Sequence, residues 1–204
     1  MKTHHAAVES LPAVQEHWGA VGAMSLCVAL LITAEFIPVS LLTPIARDLG
    51  ASDGQAGLAI SISGLFAVVA SLLVTRVCAH HERRHVLMVL ALVMLLSLIL
   101  IALSPNFALL MLARALLGVV VGGFWARTTA TIMRLVSPDS VPRALGLMYT
   151  GNAVATAFAA PLGSYLGGII GWRGVFWLLT PLVVLNLLWM AVSLPSMRSK
   201  HSAD

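Results

Sequence analysis

Six long apolar runs follow one another along the chain, separated by joints of a few polar residues. They fall near residues 18–45, 55–78, 86–104, 107–133, 144–170 and 174–194. Each is near or above the roughly 20 residues that a helix needs to cross a bilayer, so the pattern predicts six transmembrane helices. The joints at 47–50, 80–85, 104–106, 134–143 and 171–173 are too short to hold a soluble domain. The expected fold class is an all-α membrane protein, a six-transmembrane-helix bundle with both ends on one side. Residues 1–17 read as a disordered cytoplasmic tail, 18–194 as the bundle, and 195–204 as a second cytoplasmic tail.

Composition agrees with the pattern. Charged residues make up only 10% of the chain and hydrophobic ones 59%, whereas a soluble domain carries about 25% charged residues. The first run is too long for a cleaved leader and lacks a small-residue cleavage pattern. The net charge of +4 does not point to nucleic acid, because most of the cations lie in the joints and tails. One side collects Lys2, Arg76, Arg83, Arg84, Arg134, Arg143, Arg198 and Lys200, and the other has Arg47 and Arg173. Basic loops stay inside, which places both termini in the cytoplasm. Cys27 and Cys78 sit at or near the ends of apolar runs and read as small buried hydrophobes rather than a disulfide.

Small residues indicate where helices approach closely. Ala153, Ala157, Ala160, Ser164 and Gly168 recur at helical spacing in the fifth run, beside Pro161, which is expected to bend it. Gly57, Ser61 and Gly64 form a comparable series in the second run. Lipid supplies no hydrophobic drive between helices, so such stripes pack helices together. Packing within this bundle and contact with a second bundle both fit.

Glu35 is the chemically telling residue, because it lies deep inside the first apolar run. An ionised, unpaired carboxylate there costs several kcal/mol, so it either bonds a neighbouring helix or exchanges a proton as its surroundings alternate between dry and wet. Pro38 and Pro44 follow and give that helix room to flex. Arg114 is the natural counter-charge, with snorkelling to the surface as the alternative. It opens a stripe of Arg114, Gly118, Val121, Trp125 and Thr128 on the fourth run. An arginine, an aromatic platform and a hydroxyl on one helix face suit a polar, planar organic molecule. Asn152 and Thr156 give the fifth run a polar face, with Tyr149 and Thr150 beside them, as substrate contacts or as glue between helices.

His81-Glu82-Arg83-Arg84-His85 is a literal H-E-x-x-H, the zinc-binding signature of metalloproteases. Two arginines that repel a cation and the lack of a good third ligand, Asp139 being a weak one, make it a basic turn instead. No metal, cofactor or enzymatic role is expected.

The residues resemble the major facilitator superfamily, and within it the proton-coupled drug and metabolite exporters. Arg114-x-x-x-Gly118 with Gly122-Gly123 resembles the fourth-helix motif, and 160–168, Ala-Pro-Leu-Gly-Ser-Tyr-Leu-Gly-Gly, the antiporter motif of the fifth helix. Gly171-Trp172-Arg173-Gly174-Val175-Phe176 resembles the entry to the sixth. Segments 34–44, 122–126 and 133–136 carry a further likeness to purine ribonucleoside exporters, shared in large part with sugar exporters. The resemblance implies the N-terminal half of a twelve-helix transporter, itself a 3+3 inverted repeat, in a bacterial inner membrane. It implies proton antiport through Glu35 and Arg114, with Trp125, Thr128, Asn152 and Thr156 around the substrate. It implies helix packing through Gly118, Gly122, Pro161, Gly163, Gly167 and Gly168. The loop between the second and third helices departs from the family pattern. Thr75, Ala79 and Glu82 stand where glycine, aspartate and glycine are usual, leaving Glu82, Arg83 and Arg84 as the gating charges. Its partners would be a small-molecule substrate, protons, the bilayer, and a second six-helix half or a second copy. The rival reading is a truncated, non-transporting fragment.

Overall fold

The computed structural model describes residues 16–77 and 81–195. The tails called disordered therefore lie outside the described residues, except for their inner ends, as do Cys78 and Ala79. The elements are α1 (Trp18–Ser40), α2 (Leu42–Asp48), α3 (Asp53–Val77), α4 (Arg83–Leu103), α5 (Phe107–Leu135), a 3-10 turn (Pro138–Ser140) and α6 (Val141–Ser193). Five of these helices are long and apolar enough to cross a membrane.

The first run, expected as a single helix, divides at Leu41, where the backbone leaves helical geometry (φ −104°, ψ 10°). Pro38 and Pro44 lie on either side, and neither can donate a backbone hydrogen bond. The start of α3 is fixed by a reciprocal cap. Ser52 N donates to Gln55 Oε1 (2.9 Å) and Gln55 N to Ser52 Oγ (3.2 Å). Asn106 caps α5 by accepting from Leu109 N at 2.9 Å.

α6 has 53 residues, about 80 Å of helix against a hydrocarbon core of about 30 Å. It contains the fifth and sixth predicted spans, separated at Gly171, whose φ of 73° and ψ of 162° break the helix. A left-handed φ there suits glycine, which has no Cβ to clash. Pro161 lies in helical backbone, so the break falls at Gly171 and not at the proline. Residues 141–170 run parallel to α1: Gly151 lies against Ser25, Gly163 against Ile37 and Gly167 against Leu41. Residues 172–193 run back along it, with Trp172 beside Asp48, Trp189 beside Gly22 and Ser193 beside Gly19. The chain therefore reverses at Gly171, and six passes result.

α1 packs along both arms of α6, α3 along α5, and α4 against α5 and α6. One end of the bundle joins the start of α1 to the end of α5 through His17 N donating to Leu135 O (2.8 Å), and holds Arg84 Nη2 on Ala191 O (2.7 Å). The opposite end joins Asp48, Trp172 and Arg173, whose Nη2 donates to Ser104 O at 2.7 Å. The arginine-rich joints thus share one end, with Arg47 and Arg173 at the other.

Candidate functional site

Three helices meet at Glu35. Arg114 Nη2 of α5 donates to Glu35 Oε1 at 2.9 Å, and Ser63 Oγ of α3 donates to Oε2 at 2.9 Å. Arg114 Nε is held by Ala59 O (3.0 Å), and Nη1 reaches Ala34 O at 3.5 Å. That last carbonyl is free because residue 38 is proline: the amide that would bond it four residues on does not exist. The Arg114 side chain is 1% exposed and that of Glu35 18%, so the cation is sealed while the acid keeps an edge open. Such a pair is strongly held only where hydrogen bonds complete it, as Ser63 and the two carbonyls do here.

Two glycines bring α5 this close to α3. A Cβ on Gly118 would stand 2.2 Å from Ser63 O, and one on Gly122 would stand 1.9 Å from Ala67 O. Both helices therefore touch backbone to backbone one turn apart, which is what small residues allow in membrane bundles. Gly163 and Gly167 instead make room between residues 141–170 and α1 for side chains, those of Ser40 and Ile37 and that of Leu41. Gly168 faces open space. Pro161 is exposed, as are Ala153, Ala157, Ser164 and Gly168 of the small-residue stripe.

The predicted substrate residues divide. Trp125 of α5 stacks on Tyr149 of α6, with ring centroids 6.2 Å apart and planes 23° from parallel. Asn152 is half-buried nearly one turn beyond Tyr149, and Thr156 is exposed, its hydroxyl donating to Asn152 O at 2.8 Å. Thr128 is not brought to this surface: it is fully buried and donates to Phe124 O at 2.7 Å. At 3.6 residues per turn positions 114, 118 and 128 lie within about 80° of one another, and all three are buried, so they share the face that packs inside the bundle. A groove of about 540 Å³ runs between α1 and residues 141–170, lined by Ser25, Ala29, Thr33, Thr150, Val154 and Phe158 among others. Ser25 and Thr33 donate to their own helix, at Val21 O and Ala29 O, which leaves the groove largely apolar.

At the start of α4, His85 Nδ1 stands 3.0 Å from Glu82 Oε2. Arg84 turns to α6 through Ala191 O, while Arg83 Nη1 is buried without an acceptor among the described residues. Among the described residues, no three His, Cys, Asp or Glu side chains gather to hold a metal.

Ser63, the Ala34 and Ala59 carbonyls and the Trp125–Tyr149 stack are partners that spacing along the chain does not show. Pro38 carried the one local signal, a carbonyl left free four residues before it.

Known proteins resemble this chain in sequence and in fold. The family model for the Major Facilitator Superfamily matches residues 24–204. The transcription regulatory protein OpdE of Pseudomonas aeruginosa is 50% identical over 182 residues, 89% of this chain and 45% of that protein. The purine ribonucleoside efflux pump NepI of Salmonella typhimurium is 44% identical over 186 residues, 91% of this chain and 47% of the pump. The chain thus spans about half the length of the curated relatives it matches. A crystal structure of a bacterial homologue of the human lysosomal transporter Spinster, inward-facing and unoccupied, superposes with a TM-score of 0.80 at 18% identity. It covers 88% of this chain and 43% of that one, and speaks for the fold alone. With apolar helices of spanning length, a matching fold and a family match over residues 24–204, this chain is a multi-pass membrane protein that belongs to the Major Facilitator Superfamily.

Proposed function

We propose that the chain is the N-terminal half of a proton-driven exporter of small polar organic molecules, with purine ribonucleosides as the substrate class. Its second half would be a further six helices of a longer chain or a second copy. The observation that carries this reading is the Arg114–Glu35–Ser63 cluster, an ionisable pair inside a membrane bundle with one edge of the acid open. Intramembrane ionisable residues mark proton and substrate routes. Taking up a proton neutralises Glu35 and breaks the ion pair. Arg114 then keeps Ala59 O and Ala34 O, so the cation stays in place while the charge of the site changes.

Substrate enters from the cytoplasm against Trp125, Tyr149 and Asn152 as Glu35 gives up its proton. Rocking of the two halves exposes the site outward, where substrate leaves and Glu35 is reprotonated. Trp125 and Tyr149 offer a flat face to a purine, and Asn152 and Thr156 a polar edge to a ribose. Thr128 supports the α5 backbone beside Trp125. The arginine-rich end faces the cytoplasm of a bacterial inner membrane, with Glu82, Arg83 and Arg84 as the gating charges between α3 and α4. The name of the NepI relative, at 44% identity, supports the substrate class. The regulatory name of OpdE, at 50% identity, does not speak for a substrate.

The test is counterflow in vesicles holding this chain together with a six-helix second half. A labelled purine ribonucleoside and an imposed pH gradient report export and proton movement together. Coupled export that disappears in Glu35→Gln is the expected result; full pH-driven flux in that variant overturns the role of the acid.

A further inference from the structure

A second hollow lies at the arginine-rich end, where α3 and α4 do not pack along one another. A groove of about 320 Å³ opens there, walled by Val74, Val77, Val86, Val89 and Leu90, with His81 and His85 also lining it. Beside it Arg127 of α5 is 8% exposed and donates through Nη2 to the carbonyl of Val74, a wall residue, at 3.0 Å. Its Nε is buried with no acceptor among the described residues, and so is Arg83 Nη1 in the first turn of α4. Arg134 and Arg127 stand near enough for their charges to bear on Arg83. Among the described residues no carboxylate stands within ion-pair distance of Arg83, Arg127 or Arg134; Glu82 is engaged on Oε2 by His85, and its Oε1 is buried without a donor among the described residues.

Buried guanidinium N–H groups without acceptors or a counter-charge are costly, and a tetrahedral oxyanion satisfies such a fork directly. A free anion would explain the arginines but not the valine-walled groove next to them. We propose that this end binds an anionic phospholipid, its phosphodiester headgroup on Arg83 and Arg127 near His81 and His85, and one acyl chain along the groove from Val74 to Leu90. Basic pockets between membrane helices suit such headgroups, and here the apolar wall and the unpaired cations adjoin.

The test uses the 204-residue chain, purified and stripped of lipid, then offered phosphatidylglycerol, phosphatidylcholine or inorganic phosphate. Native mass spectrometry reads retained lipid and a thermal scan reads protection. Phosphatidylglycerol is expected to be retained and to raise the midpoint, while the other two do neither. Arg127→Gln should weaken retention roughly tenfold or more, the loss of one hydrogen bond to a charged group. Val89→Trp fills the groove from an exposed position, so it should lose the lipid without changing the midpoint of the lipid-free protein. Three results would overturn the site: equal retention of both lipids, full protection by inorganic phosphate, or undiminished phosphatidylglycerol on Val89→Trp. Displacement of the lipid by an added six-helix second half would also overturn it, since the arginines would then belong to that contact.

Discussion

Arg114 and Glu35 share one ion pair at 2.9 Å but not one environment: the arginine side chain is 1% exposed and the glutamate 18%. The asymmetry separates their two removals. Arg114→Ala leaves a carboxylate with only Ser63 as partner, and Glu35→Ala leaves a sealed cation with two carbonyls. Each is expected to lower stability by about 3–5 kcal/mol, the cost of orphaning one member of a buried pair. Glu35→Gln keeps an oxygen that accepts from Arg114, so it should unfold near the wild-type temperature while losing proton coupling. Thermal unfolding in detergent beside vesicle flux distinguishes these outcomes. A Glu35→Gln protein as unstable as Glu35→Ala would show that the charge holds the fold and is not spared for transport.

Ser63 is expected to act as a positioning residue. Its hydroxyl is a donor to the charged carboxylate, so Ser63→Ala should cost about 1.5–3 kcal/mol. A double-mutant cycle with Glu35→Gln should show coupling between the two positions, because they share the bond that the cycle removes. Additive effects would mean that the serine acts only by packing against Gly118.

The contact of α3 with α5 predicts a steep size limit at Gly122. A methyl there would meet Ala67 O at 1.9 Å, which the backbone must relieve by moving apart. Gly122→Ala is expected to cost about 1–3 kcal/mol as overpacking. It should also weaken proton coupling, since Arg114 holds the Ala59 carbonyl of the same displaced helix. Gly168→Ala faces open space and should leave the thermal midpoint unchanged in the isolated chain.

Much of this architecture is legible in the order of residues. The spans show because a charge inside hydrocarbon is expensive, so apolar runs and polar joints alternate visibly from Trp18 to Leu194. The reversal at Gly171 shows for the same reason, as a polar joint, although the helix is interrupted at a single residue. Glu35 stands out as an acid deep in an apolar run, and Arg114 as a cation within reach of it. Ser63 does not, because a serine in an apolar helix looks the same whether it packs or donates to a carboxylate 28 positions away. The stack of Trp125 on Tyr149 joins two helices and leaves no periodic trace in either. Thr128 misleads because the spacing shows that it shares a face with Arg114 and Gly118 but not that this face packs inside the bundle.

Trp125 and Tyr149 should separate substrate affinity from coupling. Trp125→Ala removes one half of the stacked pair, which is worth about 0.5–1.5 kcal/mol beyond buried area, and deletes the platform for a purine ring. The expected outcome is a raised KM for the nucleoside with proton coupling intact per molecule moved, whereas Trp125→Phe keeps a ring and restores most of the affinity. A fall in coupling with unchanged KM would move Trp125 out of the substrate surface.

The N-terminal entrance gives the pH-dependent prediction. Glu16 accepts from Ser137 N (3.2 Å), Ser137 Oγ and Trp18 Nε1 (2.8 Å), joining the start of α1 to the turn between α5 and α6. These donors favour the charged carboxylate and pull its pKa from 4.5 down to about 2. A lowered folded value means that the clasp contributes fully above 4.5, weakens as pH falls below that, and is gone below about 2. Because the group is exposed, the effect is local and shows as fraying rather than loss of the fold. Hydrogen exchange over residues 137–140 should therefore be protected at neutral pH and lose that protection progressively on acidification through this window. Glu16→Gln keeps an acceptor but not the charge, so its exchange should be faster at neutral pH, and the extra acid dependence should vanish. Unchanged protection in Glu16→Gln would mean that the turn is held by Ser137 and Ser140 without the carboxylate.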